Sequence, residues 1–313
     1  MGAAKRKSPD AMPTDEAVAK ASTKLSFPML VAGSRGDTRR LRPKFEIHAS
    51  YRVRGGSLVD LGGKRVIIFV HGYNVTVPEA LSSSVDFFSQ LSAALQRDGA
   101  SPDAVGYLAF TWPGDVGPIY FNTAQEFAQH SGVALYQLVR DLREKNNVDR
   151  LTLVTHSLGA HVGLRSAAIL GERVYRGKTK TRYSDLLLLA PAVENDVFRR
   201  AVLLERYHFP ESAFGIRKLH IFTSRADAVL STAFAVSELD KALGYAGPES
   251  MRPLKSLGQR VREVSGGQNR FDFEVHDFSP TSTTIINPAL HAKSHGDYWN
   301  RPAQADYYAN LIA

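Results

Sequence analysis

The chain has 313 residues, 43% of them hydrophobic and 22% charged, which is ample for one large α/β core or two smaller ones. The absence of cysteine excludes a disulfide framework, a cysteine nucleophile and Cys-ligated zinc or iron–sulfur centres. The net charge of +8 is uneven, because residues 1–54 hold 12 Lys/Arg against 5 Asp/Glu and so carry +7 of it.

That imbalance describes a basic N-terminal arm, residues 1–43, ahead of a domain spanning 44–313. The first 26 residues are rich in Ala, Lys, Ser, Pro and Asp without periodicity, the composition of a disordered tail. Residues 27–43 read as an irregular lead-in. Such an arm is expected to act as a solvated tail, with contact to nucleic acid or an anionic surface as the alternative. Residues 45–53, Phe-Glu-Ile-His-Ala-Ser-Tyr-Arg-Val, alternate apolar and polar like a half-buried edge strand. The Gly55-Gly56 and Gly62-Gly63 pairs mark turns.

Val66-Ile67-Ile68-Phe69-Val70 is a continuous β-branched and aromatic run, the pattern of a central parallel strand covered on both faces. It ends in His71-Gly72-Tyr73-Asn74. Thr76-Val77-Pro78-Glu79 combines a capping box with an early proline, so a helix is expected from there to about Gln96. A strand follows over Ala104–Thr111, closed by Trp112-Pro113-Gly114. Leu135, Leu138, Val139 and Leu142 recur at the spacing of one helical face within a helix from about Asn122 to Glu144.

Leu151–Thr155 is the next apolar strand, and a helix starts just after Ser157, with Gly171 as its expected C-cap. Leu186–Pro191 and Leu219–Ser224 read as further buried strands. Ala228–Leu243 reads as a helix, Arg270–Phe278 as a last strand and Asp297–Ile312 as a closing helix. Strands alternating with helices imply a parallel sheet. No apolar run approaches the ~18 residues of a membrane span. Nor does the basic start carry an apolar segment behind it, so a cytoplasmic protein is expected.

The chemistry centres on Thr155-His156-Ser157-Leu158-Gly159. A strand that turns sharply into a helix with serine at the apex exposes the hydroxyl at the sheet's carboxyl edge and aims helix amides at its target. Gly159 and Gly163, with Ala160 and Ala167, allow that helix to lie close to the sheet. The order Ser, acid, His then points to Asp227, three residues past the strand Leu219–Ser224, with Glu194 and Asp196 as competing acids. Three histidines follow Asp227: His276, His291 and His295. His295, immediately before the last helix, is the first choice as base and His276 the second. His291 and His295 also have a metal-ligand spacing that works only on a helix. Pro288 and Gly296 oppose one, so no metal is expected there.

These segments together resemble the alpha/beta-hydrolase superfamily. More narrowly, they are similar to a bacterial branch with Val-His-Gly-Tyr-Asn, Ser/Thr-Trp-Pro and His-Ser-Met/Leu-Gly motifs, present here as Val70–Asn74, Thr111–Pro113 and His156–Gly159. The resemblance runs from about Val66 to Trp299. It implies a mostly parallel central sheet with helices on both faces. By the same resemblance Ser157 is the nucleophile, Asp227 the acid and His295 the base, and the oxyanion donors are Leu158 with Tyr73 or Asn74. The implied activity is that of a serine hydrolase cleaving a carboxylic ester, with an amide as the second choice, through an acyl-enzyme and without cofactor or metal. The alternatives are an acyltransferase using the same triad and a non-catalytic binding protein on the same scaffold. Segments 114–122 and 192–215 are the expected pocket walls. One departure stands out: the first glycine of Gly-x-Ser-x-Gly is replaced by Thr155.

Overall fold

The computed structural model describes residues 12–25, 27–35, 50–117, 120–199, 207–234 and 241–313. Eight strands form one sheet: Met29–Gly33 (β1), Arg52–Arg54 (β2), Arg65–Val70 (β3), Val105–Thr111 (β4), Arg150–His156 (β5), Tyr183–Leu189 (β6), Ile216–Thr223 (β7) and Asp272–Asp277 (β8). Their order is β2-β1-β4-β3-β5-β6-β7-β8, and each neighbouring pair is parallel except β1 with β2. The helices used below are Asp15–Ser22 (α1), Val77–Arg97 (α2), Phe121–Glu144 (α3), Gly159–Tyr175 (α4), Arg252–Val264 (α5) and Pro302–Ile312 (α6).

The central strands are buried along their length because both faces are covered, which is why their sequences are continuous apolar runs. Register shows which helix covers which face. Phe69 stacks on Phe87 of α2, whereas Val70 pairs with Thr155, and Thr155 meets Gly163 of α4. Adjacent residues of one strand point to opposite faces, so α2 and α4 lie on opposite sides of the sheet. α6 joins α2, with Tyr308 against Phe87 and Phe222, and α3 packs beside α4. The architecture is a mostly parallel α/β sheet with helices on both faces.

Most expected elements form within a few residues of their expected ends. Thr76 and Glu79 close the capping box of α2, with the Thr76 amide donating to Glu79 Oε2 at 2.8 Å. Three of these expectations need correction. Residues 12–35 are not simply a tail. Thr14 caps α1, which buries Val18, and β1 is a fully buried interior strand between β2 and β4. Gly171 does not cap α4, which continues to Tyr175. A Cβ there would lie 1.9 Å from Glu211 O, so this glycine serves close packing against the segment Ser212–Gly215. The closing helix starts at Pro302 and not at Asp297. Finally, α5 had not been anticipated; it buries Leu254, Leu257 and Val261.

The expected helix over Ala228–Leu243 appears as a π-helical turn, Leu230–Phe234, and residues 235–240 lie outside the described set. The rest of the basic arm (1–11, 26 and 36–43) and residues 45–49 of the expected edge strand also lie outside it, His48 among them. Among the described residues no helix is long and apolar enough to cross a membrane.

Candidate active site

Three carboxyl-edge segments converge on Ser157. The first is the turn after β5. Ser157 has φ +54°, a left-handed conformation that costs a non-glycine residue about 1–2 kcal/mol. Its backbone is pinned on both sides, the amide donating to Leu189 O at 3.0 Å and the carbonyl accepting from Ala160 N at 3.0 Å. The close approach explains the small residues: a Cβ on Gly159 would lie 2.5 Å from His71 O. The Thr155 departure is accommodated by α4, since the Thr155 methyl occupies the space that a Cβ on Gly163 would need (2.7 Å). The small residue has in effect moved from strand to helix.

The second segment is Ser224–Asp227, after β7. Asp227 is fully buried, its Oδ1 accepts from the Leu230 amide at 3.1 Å, and its Oδ2 lies 2.8 Å from His295 Nδ1. The third is the connection from β8 to α6, which carries His295. His295 Nε2 lies 2.8 Å from Ser157 Oγ. The carboxylate can only accept, so Nδ1 carries the ring proton and Nε2 is left to accept from the Ser157 hydroxyl. This connection is tied down at several points. Ser224 Oγ donates to Ala292 O at 2.6 Å, and Arg301 donates to His291 O at 2.7 Å and to Asp297 Oδ2 at 2.9 Å.

The competing groups are elsewhere. His276 sits in β8, where its ring meets Tyr307 OH at 3.0 Å and His220 at 3.2 Å. His291 Nε2 lies 3.0 Å from Ile285 O, so that nitrogen is engaged by the backbone. Asp196 is engaged by Arg199 (3.1 Å) and His208 (3.3 Å), and Glu194 forms a backbone bridge with Ala242. Among the described residues His295 is paired with Asp227 and with neither of these acids.

Two further histidines, read in the sequence only as motif letters, act as braces. His156 Nε2 donates to the backbone carbonyl of His295 at 2.8 Å, fixing the loop that bears the base. Burial, and then the neighbouring His295, push its pKa down to about 3, so it stays neutral and holds that single tautomer. His71 accepts the Trp112 amide at Nε2 (3.1 Å), and its carbonyl accepts from the Trp112 indole at 2.8 Å. Its Nδ1–H is thereby directed to Gly72 O at 2.9 Å. Burial and the charge of Arg35 lower its pKa to about 3 as well. The Val70–Asn74 and Thr111–Pro113 motifs are thus one hydrogen-bonded unit.

Sequence reasoning missed Arg35. Its buried guanidinium pairs with Asp115 at 2.7 Å and donates to Val75 O at 3.2 Å, bracing the loop after Asn74. Only an arginine two residues past the apolar run Met29–Gly33 hinted at this. Of the two alternative loop donors, the Asn74 amide is committed to Gly114 O at 2.8 Å. The Tyr73 and Leu158 amides have no protein acceptor among the described residues.

Beside this loop, Tyr73, Phe121 and Phe234 form an aromatic series with ring centroids 5.4 and 5.9 Å apart, so Phe121 of the expected wall 114–122 packs beside Tyr73. Part of segment 192–215 does not. Phe198, Pro210 and Phe214 instead line a cavity of about 780 Å³ with Arg165 and Arg260, and none of Ser157, Asp227 and His295 borders it.

The chain is similar to the uncharacterized protein alr1448 of Nostoc sp. strain PCC 7120, with 24% identity over 294 residues covering 80% of this chain and 74% of that protein. Solved structures of similar shape include LpqC, a poly(3-hydroxybutyrate) depolymerase from Bordetella parapertussis. There the TM-score is 0.43 at 13% identity, with 80% of each chain covered. Aspergillus fumigatus lipase B aligns with a TM-score of 0.42 at 10% identity, covering 81% of this chain and 53% of the lipase, so the chain spans about half the lipase's length. The model of the family described as alpha/beta hydrolase of unknown function (DUF900) matches residues 56–265, more than half of the chain. With the sheet topology above, that match identifies the chain as a member of this alpha/beta hydrolase family.

Proposed function

We propose that the protein is a serine hydrolase of carboxylic esters. The observation that carries this reading is the unbroken relay from Asp227 through His295 to Ser157, with both links at 2.8 Å and the serine on a left-handed turn. A serine held this way, at a helix N-terminus, has its proton acceptor in place before substrate arrives.

In the first half-reaction Ser157 Oγ attacks the ester carbonyl carbon as His295 Nε2 takes the hydroxyl proton. The tetrahedral oxyanion accepts from the Leu158 and Tyr73 amides, each such preorganised donor contributing about 3–4 kcal/mol in the transition state. The C–O bond to the alcohol breaks, and His295 returns its proton to the leaving oxygen. Water then loses a proton to His295 Nε2, attacks the acyl-enzyme, and releases the carboxylic acid as Ser157 regains its proton. Asp227 stays ionised throughout, orienting the imidazole and stabilising its cation.

The test is labelling with a fluorophosphonate probe, alongside turnover of p-nitrophenyl esters of increasing acyl length. The parent protein should label and turn over, and Ser157→Ala should do neither. A folded parent that neither labels nor hydrolyses would favour the non-catalytic scaffold. Acyl transfer to an added alcohol outrunning hydrolysis would favour the transferase reading.

A further inference from the structure

We propose that His220, Glu274 and His276 form a binding site for one divalent cation of the zinc class. The three residues come from adjacent parallel strands and are brought together by register. His220 of β7 pairs with Glu274 of β8, and Phe222 pairs with His276. Side chains two apart on a strand share a face, so all three project from the face that α6 covers.

The separations fit a metal. His220 Nδ1 lies 3.2 Å from His276 Nε2 and 3.4 Å from Glu274 Oε2, and His276 Nε2 lies 3.7 Å from the same oxygen. Zinc bound at roughly 2.0–2.1 Å in a tetrahedron sets its ligand atoms about 3.3–3.4 Å apart. The observed triangle brackets that edge, so one ion reaches all three atoms and keeps a fourth position for water. Two imidazoles and a carboxylate suit zinc better than magnesium or calcium, which favour all-oxygen sets.

Two of the three ligands, His276 and Glu274, are hydrogen-bonded or paired on the side away from the ion. A ligating imidazole normally directs its other nitrogen to a carboxylate, carbonyl or hydroxyl. His276 Nδ1 meets Tyr307 OH at 3.0 Å. His220 Nε2 is buried without a hydrogen bond and faces Asp185 Oδ1 at 3.8 Å, Asp185 being paired with Arg150 at 3.3 Å. Glu274 Oε1 is held by Lys218 at 2.9 Å, which turns Oε2 toward the imidazoles. Both histidines are buried, while the Glu274 side chain is 45% exposed on edge strand β8 and offers an entry route. The cation would close the β7–β8 edge against α6. None of Ser157, Asp227 or His295 takes part, so this inference is independent of the proposed hydrolase activity.

The experiment uses tag-free full-length protein stripped with EDTA, titrated with zinc in competition with a chromophoric chelator, and with cobalt(II) read by visible absorption. The parent should bind one zinc per chain and give the intense visible bands of tetrahedral cobalt. Glu274→Gln, at a half-exposed edge position where folding is retained, should bind zinc about 100-fold more weakly or worse. Tyr307→Phe, which removes the hydroxyl that meets His276 Nδ1 at 3.0 Å, should fall within the roughly 10–100-fold loss typical of removing a ligand's supporting partner. His295→Ala should bind as the parent does. Circular dichroism checks that each variant is folded. No zinc uptake by the parent, equal uptake by parent and Glu274→Gln, or loss of uptake in His295→Ala would each overturn the proposal.

Discussion

Replacing Asp227 by asparagine tests the relay at its most informative point. Asparagine has nearly the same shape, and its carbonyl oxygen is expected to keep the Leu230 amide, which Asp227 Oδ1 accepts at 3.1 Å. That choice leaves the NH2 group facing His295 Nδ1, where the carboxylate oxygen now sits at 2.8 Å. Two donors cannot face each other, so the imidazole must carry its proton on Nε2 instead. Nε2 then points a hydrogen at Ser157 Oγ and cannot act as the base. Loss of the correct tautomer in such triads lowers turnover by about 10⁴, or about 5 kcal/mol of transition-state stabilisation. The fold should survive, because a buried charge is replaced by a hydrogen-bonded neutral amide. The assay is hydrolysis of a short p-nitrophenyl ester and the fluorophosphonate labelling rate, with circular dichroism as the folding control. A folded Asp227→Asn protein that reacts within tenfold of the parent would refute the reasoning.

Removing Arg35 should destabilise the chain by roughly 3–5 kcal/mol, because Arg35→Met leaves Asp115 without its buried partner. Urea unfolding is the check, and a loss under about 1 kcal/mol would contradict it. Thr155 Oγ1 is buried with no hydrogen-bond partner among the described residues, so Thr155→Val should raise stability by about 1 kcal/mol. Gly163→Ala should lower stability by roughly 1–3 kcal/mol by overpacking the Thr155 methyl, and unchanged urea midpoints for both would refute this packing account. His71 and His161 are buried and His156 is half-buried, and all three have pKa values pushed down to about 3. In the unfolded chain they titrate near 6.5, so between about pH 6.5 and 3 the unfolded state binds more protons and stability falls as pH falls. Each histidine adds up to about 1.4 kcal/mol per pH unit in that window, so a urea midpoint equal at pH 7 and pH 5 would show that they are not held neutral.

Much of the site was legible in the sequence because its parts are local. The apolar run ending at Ser157, the loop after Val70 and the acid after β7 each follow a strand that announces itself by composition. Other features depend on partners distant in the chain. The choice between His295 and His276 was open because both follow Asp227. Register settles their positions: His276 lies in β8 beside Phe222 and Tyr307, while the later connection brings His295 over the elbow. Tyr73 and Asn74 are neighbours with identical amides, and only the Gly114 carbonyl distinguishes them. Gly171 looks the same in sequence whether it caps a helix or admits a neighbouring backbone. β1 was hidden because five apolar residues among glycines and arginines carry no periodicity, and its burial comes from β4, whose paired residues lie 78 positions later. The sequence by itself therefore determined the fold class, the strand–serine–helix turn and the chain order of the candidate triad, since alternation, capping and turn chemistry act over a few residues. Only the tertiary structure decided which histidine faces Ser157, which amide is free, and that His220, Glu274 and His276 share one face. Those outcomes follow from strand register and loop anchoring, which pair groups across long stretches of chain.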